Sequence, residues 1–364
     1  MEAGDLDLYF FTANEPRELF EQQSSLLGKP LMPARSALGY HQCRWNYMSE
    51  AEVLEVSQKF EDYKIPCDFI WLDIEYSNHK AYFTWNEERF PDPEGMVEKL
   101  WEKDRRLVTI IDPHIKRDSE YSIYLEHIER NLAVRTQAGE VYESWCWPGH
   151  SIWTDYFNPE ASSYMSSLYW SKPEGYSRYI WTDPRVGIWN DMNEPACFNE
   201  TEGTFPKSNL HANSLEHRLV HNLYGYMHTK STYEGLKRRN QLADFKEEPL
   251  LLTRSFFAGS QKFGAVWSGD CTCSWQDLRG SIPLLMQKST CAITFVGCDV
   301  PGFFKDPPSE ELVVRWYQLG CFYPFFRAHA HEATQRREPW TFSERTCELI
   351  AKAIRLRYQL LPYM

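Results

Sequence analysis

The residues best suited to chemistry lie in the heptapeptide WNDMNEP at positions 189–195. Apolar residues lead into two acids, Asp191 and Glu194, and then into Pro195, which cannot continue a strand because it lacks a backbone N–H. Packing of an apolar strand requires no acid at its carboxyl end, whereas β/α-barrel enzymes keep their catalytic groups there. We therefore interpret Asp191 as a catalytic carboxylate rather than as a cap of the following helix.

Polar residues also end the other apolar runs of the chain. Together with Asp191, and with Trp45 beside Arg44, these residues are, in chain order, Arg44, Asp73, Asp112, His114, Arg254, Asp270, Asp299, Arg327 and His329. Any one of them could be a helix cap or half of a salt bridge. Several carboxylates crowded into one cleft repel one another, however, and a functional site is where such repulsion is tolerated.

The elements that would position these residues alternate between strand and helix patterns, which predicts βα units and a parallel sheet. Eight strands are predicted, at residues 37–43, 68–73, 107–112, 186–190, 249–254, 265–268, 292–297 and 321–326. Apolar residues that recur at three and four predict helices between most of them, for example at residues 50–63, 95–103 and 278–287. The predicted fold class is α/β, a (β/α)8 TIM barrel, in which the fifth and sixth strands are too close for a helix between them.

The same pattern divides the chain. Residues 1–36 are predicted to be a lead-in segment, and residues 37–364 the barrel. An insertion at about residues 113–185 separates the third and fourth strands and is rich in Trp, Tyr, Pro and Gly, which suits the wall of a pocket.

WNDMNEP resembles the nucleophile signature of glycoside hydrolase family 31, whose members are mostly retaining α-glucosidases. A second signature of that family follows downstream as RSFFAG at residues 254–259 and WSGD at residues 267–270. Further matches run from about residue 37 to residue 340, which is nearly the whole chain. The resemblance implies Asp191 as the nucleophile and Asp270 as the general acid/base, and it implies no metal and no cofactor.

The resemblance also implies which residues hold the sugar. Hydroxyl groups of the terminal glucose would be bound by Asp73, Arg254, Asp299, Arg327 and His329. The walls of the pocket would be Trp45, Trp147, Trp189, Trp267 and Phe303. Retaining glycosidases place their two carboxyl groups about 5–5.5 Å apart, and Asp191 and Asp270 end strands that are separated by only one other. Arg254 would keep the nucleophile ionised while Asp270 keeps its proton.

Composition restricts the partners. The chain has 364 residues with a net charge of −12, which argues against nucleic acid, and its 14 Trp are compatible with both core packing and sugar binding. No apolar run is long enough for a membrane span, and we expect no targeting signal in the acidic first residues. We expect the ten cysteines to be mainly buried thiols, with disulfides as the alternative.

Two branches of the family resemble the chain about equally. One contains catalytic subunits that trim α-1,3-linked glucose from N-glycans in the lumen of the endoplasmic reticulum with a non-catalytic β subunit, and we favour it. The other contains neutral α-glucosidases, which would permit a cytoplasmic location and α-1,4-glucans as substrates. Without the β domains that flank the barrel in the family, we expect this sequence to represent a catalytic portion or a shortened isoform.

Other interpretations stay open. Glu194 is a rival nucleophile, and His217 and His221 have the i, i+4 spacing of some metal sites, although a structural role is favoured for both histidines. Cys271 and Pro301 depart from the family pattern, which bears on efficiency and substrate preference. A catalytically weak sugar-binding paralogue is the alternative from another functional class.

Overall fold

The computed structural model describes residues 6–364 of the protein. In these residues thirteen strands form: β1 (Tyr40–Gln42), β2 (Phe69–Leu72), β3 (Arg106–Ile110), β4 (His114–Lys116), β5 (Glu143–Cys146), β6 (Gly149–Trp153), β7 (Val186–Asn190), β8 (Leu210–His211), β9 (Leu215–Glu216), β10 (Leu251–Thr253), β11 (Ala265–Trp267), β12 (Val296–Gly297) and β13 (Phe326–Ala328). Eight of them form one parallel sheet in the order β12-β11-β10-β7-β3-β2-β1-β13. A parallel bridge between Val300, three residues after β12, and Ala328 of β13 brings the two ends of the sheet together, so the sheet nearly closes into the predicted TIM barrel.

Helices cover the outside of this barrel. They are α1 (Pro16–Leu27), α2 (Glu50–Asp62), α3 (Pro93–Trp101), α4 (Ser122–Glu129), α5 (Pro159–Ser167), α6 (His217–Val220), α7 (Tyr224–Leu242), α8 (Trp275–Thr290), α9 (Glu310–Gly320) and α10 (Glu344–Leu360). Serine begins several of them: Ser49, Ser274 and Ser309 each accept a backbone N–H of the first helical turn. Only a 3₁₀ turn, Ser260–Lys262, connects β10 to β11, as the close spacing of the fifth and sixth strands predicted.

The prediction for the eighth strand was wrong. Residues 321–325 form the turn after α9, and the strand begins only at Phe326. The Arg357 guanidinium of α10 binds the carbonyl oxygens of Cys321, Tyr323 and Pro324, so these groups are not available to a strand ladder. Pro324 also lacks the N–H that a ladder requires.

The long connection between β3 and β7 carries its own small sheet. Strands β4, β6 and β5 pair in an antiparallel fashion, with His114 opposite Trp153 and Cys146 opposite Gly149. This pairing holds the residue after β5, Trp147, over the carboxyl ends of the barrel strands.

Aromatic side chains fill the centre of the barrel. Trp71, Trp189 and Trp267 surround the guanidinium of Arg327, whose central carbon lies 4.6–5.2 Å from the three ring centroids. Cation–π attraction and burial both stabilise this arrangement. The barrel is therefore closed below the carboxyl ends of its strands, so a ligand bound at that face cannot pass through the barrel. Among the helices of residues 6–364, none combines the length and apolar character needed to cross a bilayer.

Candidate active site

A pocket with about 400 Å³ of empty space opens at the carboxyl ends of the barrel strands. It is lined by Trp45, Asp73, Ile74, Ile110, Asp112, Trp147, Trp189, Asp191, Met192, Arg254, Asp270, Phe303 and His329. Nine of these lining residues were predicted from sequence as site residues. Three other predicted residues, Trp267, Asp299 and Arg327, do not line it.

Asp191 lies at the end of β7, where the register of the sheet sets its neighbours. Trp189 and Asn190 pair with Ile110 of β3 and Thr253 of β10, which brings Asp191 to the same opening as Asp112 and Arg254. Arg254 follows β10, and its Nη1 atom lies 3.0 Å from Asp191 Oδ1. Burial raises the pKa of Asp191 to about 6, while the charge of Arg254 opposes that rise.

Glu194 shares the same arginine. Its two carboxylate oxygens accept hydrogen bonds from Arg254 Nε and Nη2 at 2.8 and 3.1 Å. The Glu194 side chain is 38% exposed and is not among the residues that line the pocket. This position favours Asp191 over Glu194 as the group that faces a ligand.

Asp270 enters the pocket from the end of β11. Gly269 adopts φ +75°, a left-handed conformation that turns the chain sharply before the acid. Burial raises the pKa of Asp270 to about 6, and the charge of Asp299 adds to this rise. The neighbouring charge that raises the pKa of Asp270 most is that of Asp299.

Asp73 and His329 face each other across the pocket floor. Asp73 Oδ1 accepts the backbone N–H of Ile74 at 2.7 Å, and Asp73 Oδ2 lies 3.7 Å from His329 Nε2. The imidazole of His329 packs between Trp189 and Phe303, with ring centroids at 5.3 and 4.8 Å. Burial lowers the pKa of His329 well below its usual value, so the ring is a neutral hydrogen-bonding group.

The three predicted residues outside the pocket form its support. Arg327 Nη2 donates to Asp299 Oδ1 at 2.7 Å, and both side chains are 1% exposed. Trp267 packs edge-on against Trp189 with centroids 5.8 Å apart. Trp267 and Arg327 therefore contact the pocket residue Trp189, and Asp299 holds Arg327 in place.

The glycosyl hydrolases family 31 TIM-barrel profile matches residues 30–364. The chain belongs to glycoside hydrolase family 31. It is 45% identical to a probable glucan 1,3-alpha-glucosidase of Oryza sativa subsp. japonica and 47% identical to the human neutral alpha-glucosidase C, each over 362 residues and 100% of this chain. The alignments cover only 38% and 39% of those two proteins.

A solved structure of a related enzyme is also similar to this chain. The catalytic subunit of ER glucosidase II, in complex with the binding domain of its regulatory subunit, matches 97% of this chain with a TM-score of 0.90 at 46% identity. This chain covers 38% of that subunit. The family 31 chain described here therefore spans about two-fifths of the length of the relatives it matches.

The structure adds pocket residues that the sequence reasoning did not assign to the site. These are Ile74, Ile110, Asp112 and Met192. Asp112 was already among the polar residues that follow apolar runs in the sequence, two residues after β3, but no role was assigned to it. The apolar residues carried no such signal, because an isoleucine or methionine beside a strand end is equally compatible with the core.

His217 and His221 are held by other side chains. His211 Nε2 lies 3.0 Å from His217 Nδ1, and His217 Nε2 lies 2.9 Å from His221 Nδ1. Asp155 begins this chain of hydrogen bonds by contacting His211 Nδ1 at 2.8 Å. The ring nitrogens therefore serve packing, and residues 6–364 contain no group of three or more His, Cys, Asp or Glu side chains arranged to hold a metal ion.

All ten cysteines are free thiols in the structure. Eight are buried, Cys271 is intermediate and Cys291 is exposed. The expectation of buried thiols is therefore correct for most of them.

Proposed function

We propose that this chain is the catalytic barrel of a retaining, exo-acting α-glucosidase that removes terminal, non-reducing α-linked glucose. Asp191 attacks the anomeric carbon and forms a glycosyl ester, while Asp270 protonates the departing oxygen. Asp270 then removes a proton from water, which attacks the ester and releases glucose. The observation that carries this proposal is the convergence of Asp191 and Asp270 on one pocket, with a cation against only the first of them.

The charges in the pocket support this assignment of roles. Asp191 has Arg254 at 3.0 Å, whereas no ion pair is formed by Asp270 in residues 6–364. Burial raises the pKa of both acids to about 6, so near that pH the pair tends to hold one proton. The arginine favours the ionised form of Asp191 and leaves the proton on Asp270.

The closed floor supports exo action. Trp189 and the Arg327 guanidinium below it block the barrel, so a sugar chain can enter only by one end. Asp73 and His329 are proposed to bind hydroxyl groups of that terminal glucose, with Asp299 and Arg327 supporting them from below. Trp45, Trp147 and Phe303 would contact the C–H faces of the sugar.

The natural reaction that we propose is trimming of α-1,3-linked glucose from N-glycans in the lumen of the endoplasmic reticulum, together with a non-catalytic β subunit. Support comes from the relatives named as a glucan 1,3-alpha-glucosidase and as ER glucosidase II with its regulatory subunit. The second candidate is hydrolysis of α-1,4-glucans, because neutral alpha-glucosidase C is equally similar.

The purified chain should be assayed with α-1,3- and α-1,4-linked glucose disaccharides, beside an Asp191→Asn variant of nearly equal volume. We expect faster release of glucose from the α-1,3 linkage, the α anomer as first product by NMR, and no turnover by the variant. Initial β-glucose would contradict retention. Near-wild-type turnover by Asp191→Asn would move the nucleophile to Glu194, and no turnover of either disaccharide or of an aryl α-glucoside by the folded wild-type chain would favour a sugar-binding paralogue.

A further inference from the structure

Asp112 is a fully buried carboxyl group in the pocket that the proposed reaction does not use. It stands two residues after the end of β3, is 0% exposed, and is one of the residues that line the opening. Its Oδ1 atom accepts the backbone N–H of Asp191 at 3.2 Å. The group therefore holds the main chain of the residue to which we assign the nucleophilic attack.

The other oxygen of Asp112 begins a short buried chain of hydrogen bonds. Asp112 Oδ2 is hydrogen-bonded to the Tyr82 hydroxyl, and that hydroxyl lies 3.1 Å from His114 Nε2. The Tyr82 and His114 rings pack edge to face with centroids 5.3 Å apart. Tyr82 and His114 are almost completely buried, so no bulk solvent screens the carboxyl group.

No cation within residues 6–364 pairs closely with Asp112. Arg254 is occupied by Asp191 and Glu194, and burial lowers the pKa of His114 to about 3, so its ring is neutral. Burial raises the pKa of Asp112 well above its usual value, and the neighbouring charge of Asp191 raises it further. Asp73 adds to this rise, while Tyr82 and Arg254 oppose it.

We propose that Asp112 is a positioning residue that holds the backbone of Asp191 through an uncharged carboxyl group, with its proton directed along Tyr82 to His114. In this arrangement Asp112 Oδ2–H donates to Tyr82, and the Tyr82 hydroxyl donates to His114 Nε2. The negative charge of this part of the pocket then remains on Asp191. The positioning role rests on the proposed function, because it assumes that Asp191 is the nucleophile. The protonation of Asp112 is independent of that assumption.

The role follows from what changes during the reaction. Asp191 loses its charge when it forms the ester and regains it on hydrolysis. A charged Asp112 would experience a large change in repulsion at each step, whereas a neutral one keeps the same hydrogen bond to the Asp191 N–H throughout. Misplacement of a reacting group by about 1 Å can lower the rate by about 100-fold.

The first test measures protonation without any activity assay. Asp112→Asn preserves one acceptor and one donor but cannot titrate. If the wild-type carboxyl is protonated when folded and ionised when unfolded, its contribution to stability falls as pH rises. The folding constant of Asp112→Asn relative to wild type should then increase about tenfold per pH unit between pH 5 and 7 in urea titrations.

Asp118→Asn is the matched control, because Asp118 lies outside the pocket in a more exposed position and its pKa is lowered by a backbone hydrogen bond from Glu120. Its folding constant relative to wild type should not depend on pH in this range. A ratio for Asp112→Asn that is equally independent of pH would overturn the proposal, even if the chain proves to have no glucosidase activity.

The second test measures positioning. Asp112→Leu removes both hydrogen bonds at similar size and should lower kcat about 100-fold with little change in KM. The kcat of Asp112→Asn should be at least tenfold higher than that of Asp112→Leu. If Asn is as damaging as Leu in folded protein, the carboxyl acts through its charge and the proposal is wrong. If the Leu variant does not fold, the pH dependence of the Asn variant decides.

Discussion

Replacement of Arg254 by Gln tests the charge arrangement of the pocket most directly. At 3.0 Å, two unit charges interact by about 5.5 kcal/mol with an effective dielectric constant of ~20. Glu194 shares the arginine at 2.8 Å and cancels part of this attraction. We therefore expect Arg254→Gln to raise the pKa of Asp191 by about 1–3 units, the range typical of a carboxylate beside an arginine.

The consequence is a change in which acid carries the proton. In the wild type the pKa of both Asp191 and Asp270 is raised to about 6, and the arginine favours ionised Asp191. Without Arg254 the proton moves to Asp191, so the productive form becomes the minor one. The acidic limb of kcat/KM should shift upward by about 1–3 pH units, with a loss of roughly 10- to 1000-fold at pH 6.

The measurement is kcat/KM for an aryl α-glucoside between pH 4 and 8. Arg254→Lys is the matched control, since it keeps a positive charge while losing the bidentate contact with Glu194. Its affinity for substrate can fall, but its acidic limb should stay near that of the wild type. An Arg254→Gln profile with an unmoved acidic limb would refute the assignment of Asp191 as the group that must be ionised.

Three further predictions concern the proposed acid Asp270, the buried ion pair of Asp299 and Arg327, and the buried His228. Asp270→Ala should reduce hydrolysis of disaccharides far more than that of glucosyl fluoride, because fluoride departs without a proton; equal losses would indicate a binding role. Asp299→Ala should destabilise the fold by about 3–5 kcal/mol in urea titrations, since it leaves the buried Arg327 charge uncompensated, and a loss below about 1 kcal/mol would contradict this account. Burial lowers the pKa of His228 to about 3. As pH falls, the unfolded state therefore binds a proton at this ring before the folded state does, and the protein loses stability between about pH 6.5 and 3. Between pH 7 and 5 this loss is about 2 kcal/mol for one histidine, and His228→Phe should remove it from the pH dependence of unfolding unless the folded ring is already protonated.

The outcome for individual residues shows what kind of information the sequence carried. Asp191 and Asp270 each lie within three residues of the end of an apolar strand, so strand direction places both at the same face of a barrel, and the resemblance to family 31 implied their roles. The missing helix between β10 and β11 was likewise readable from chain length. These features depend on local sequence, so they need no knowledge of the neighbours.

Tertiary structure decided the depth of each side chain at that face. Asp299 follows β12 and Arg327 lies within β13, yet they form a buried pair that does not line the pocket, while Asp112 lines the opening beside Asp191. The stagger of the strands in a closed barrel determines which strand end lies higher, and that stagger arises from pairings such as Ile110 with Trp189, far apart in the chain. The eighth strand was misplaced for a similar reason, because the carbonyl groups of Cys321, Tyr323 and Pro324 are bound by Arg357 from a helix that begins twenty residues after Pro324. Sequence by itself therefore determined the fold class and which acids follow strands of the barrel, and long-range pairing determined which of them line one pocket and which of them pair with a cation.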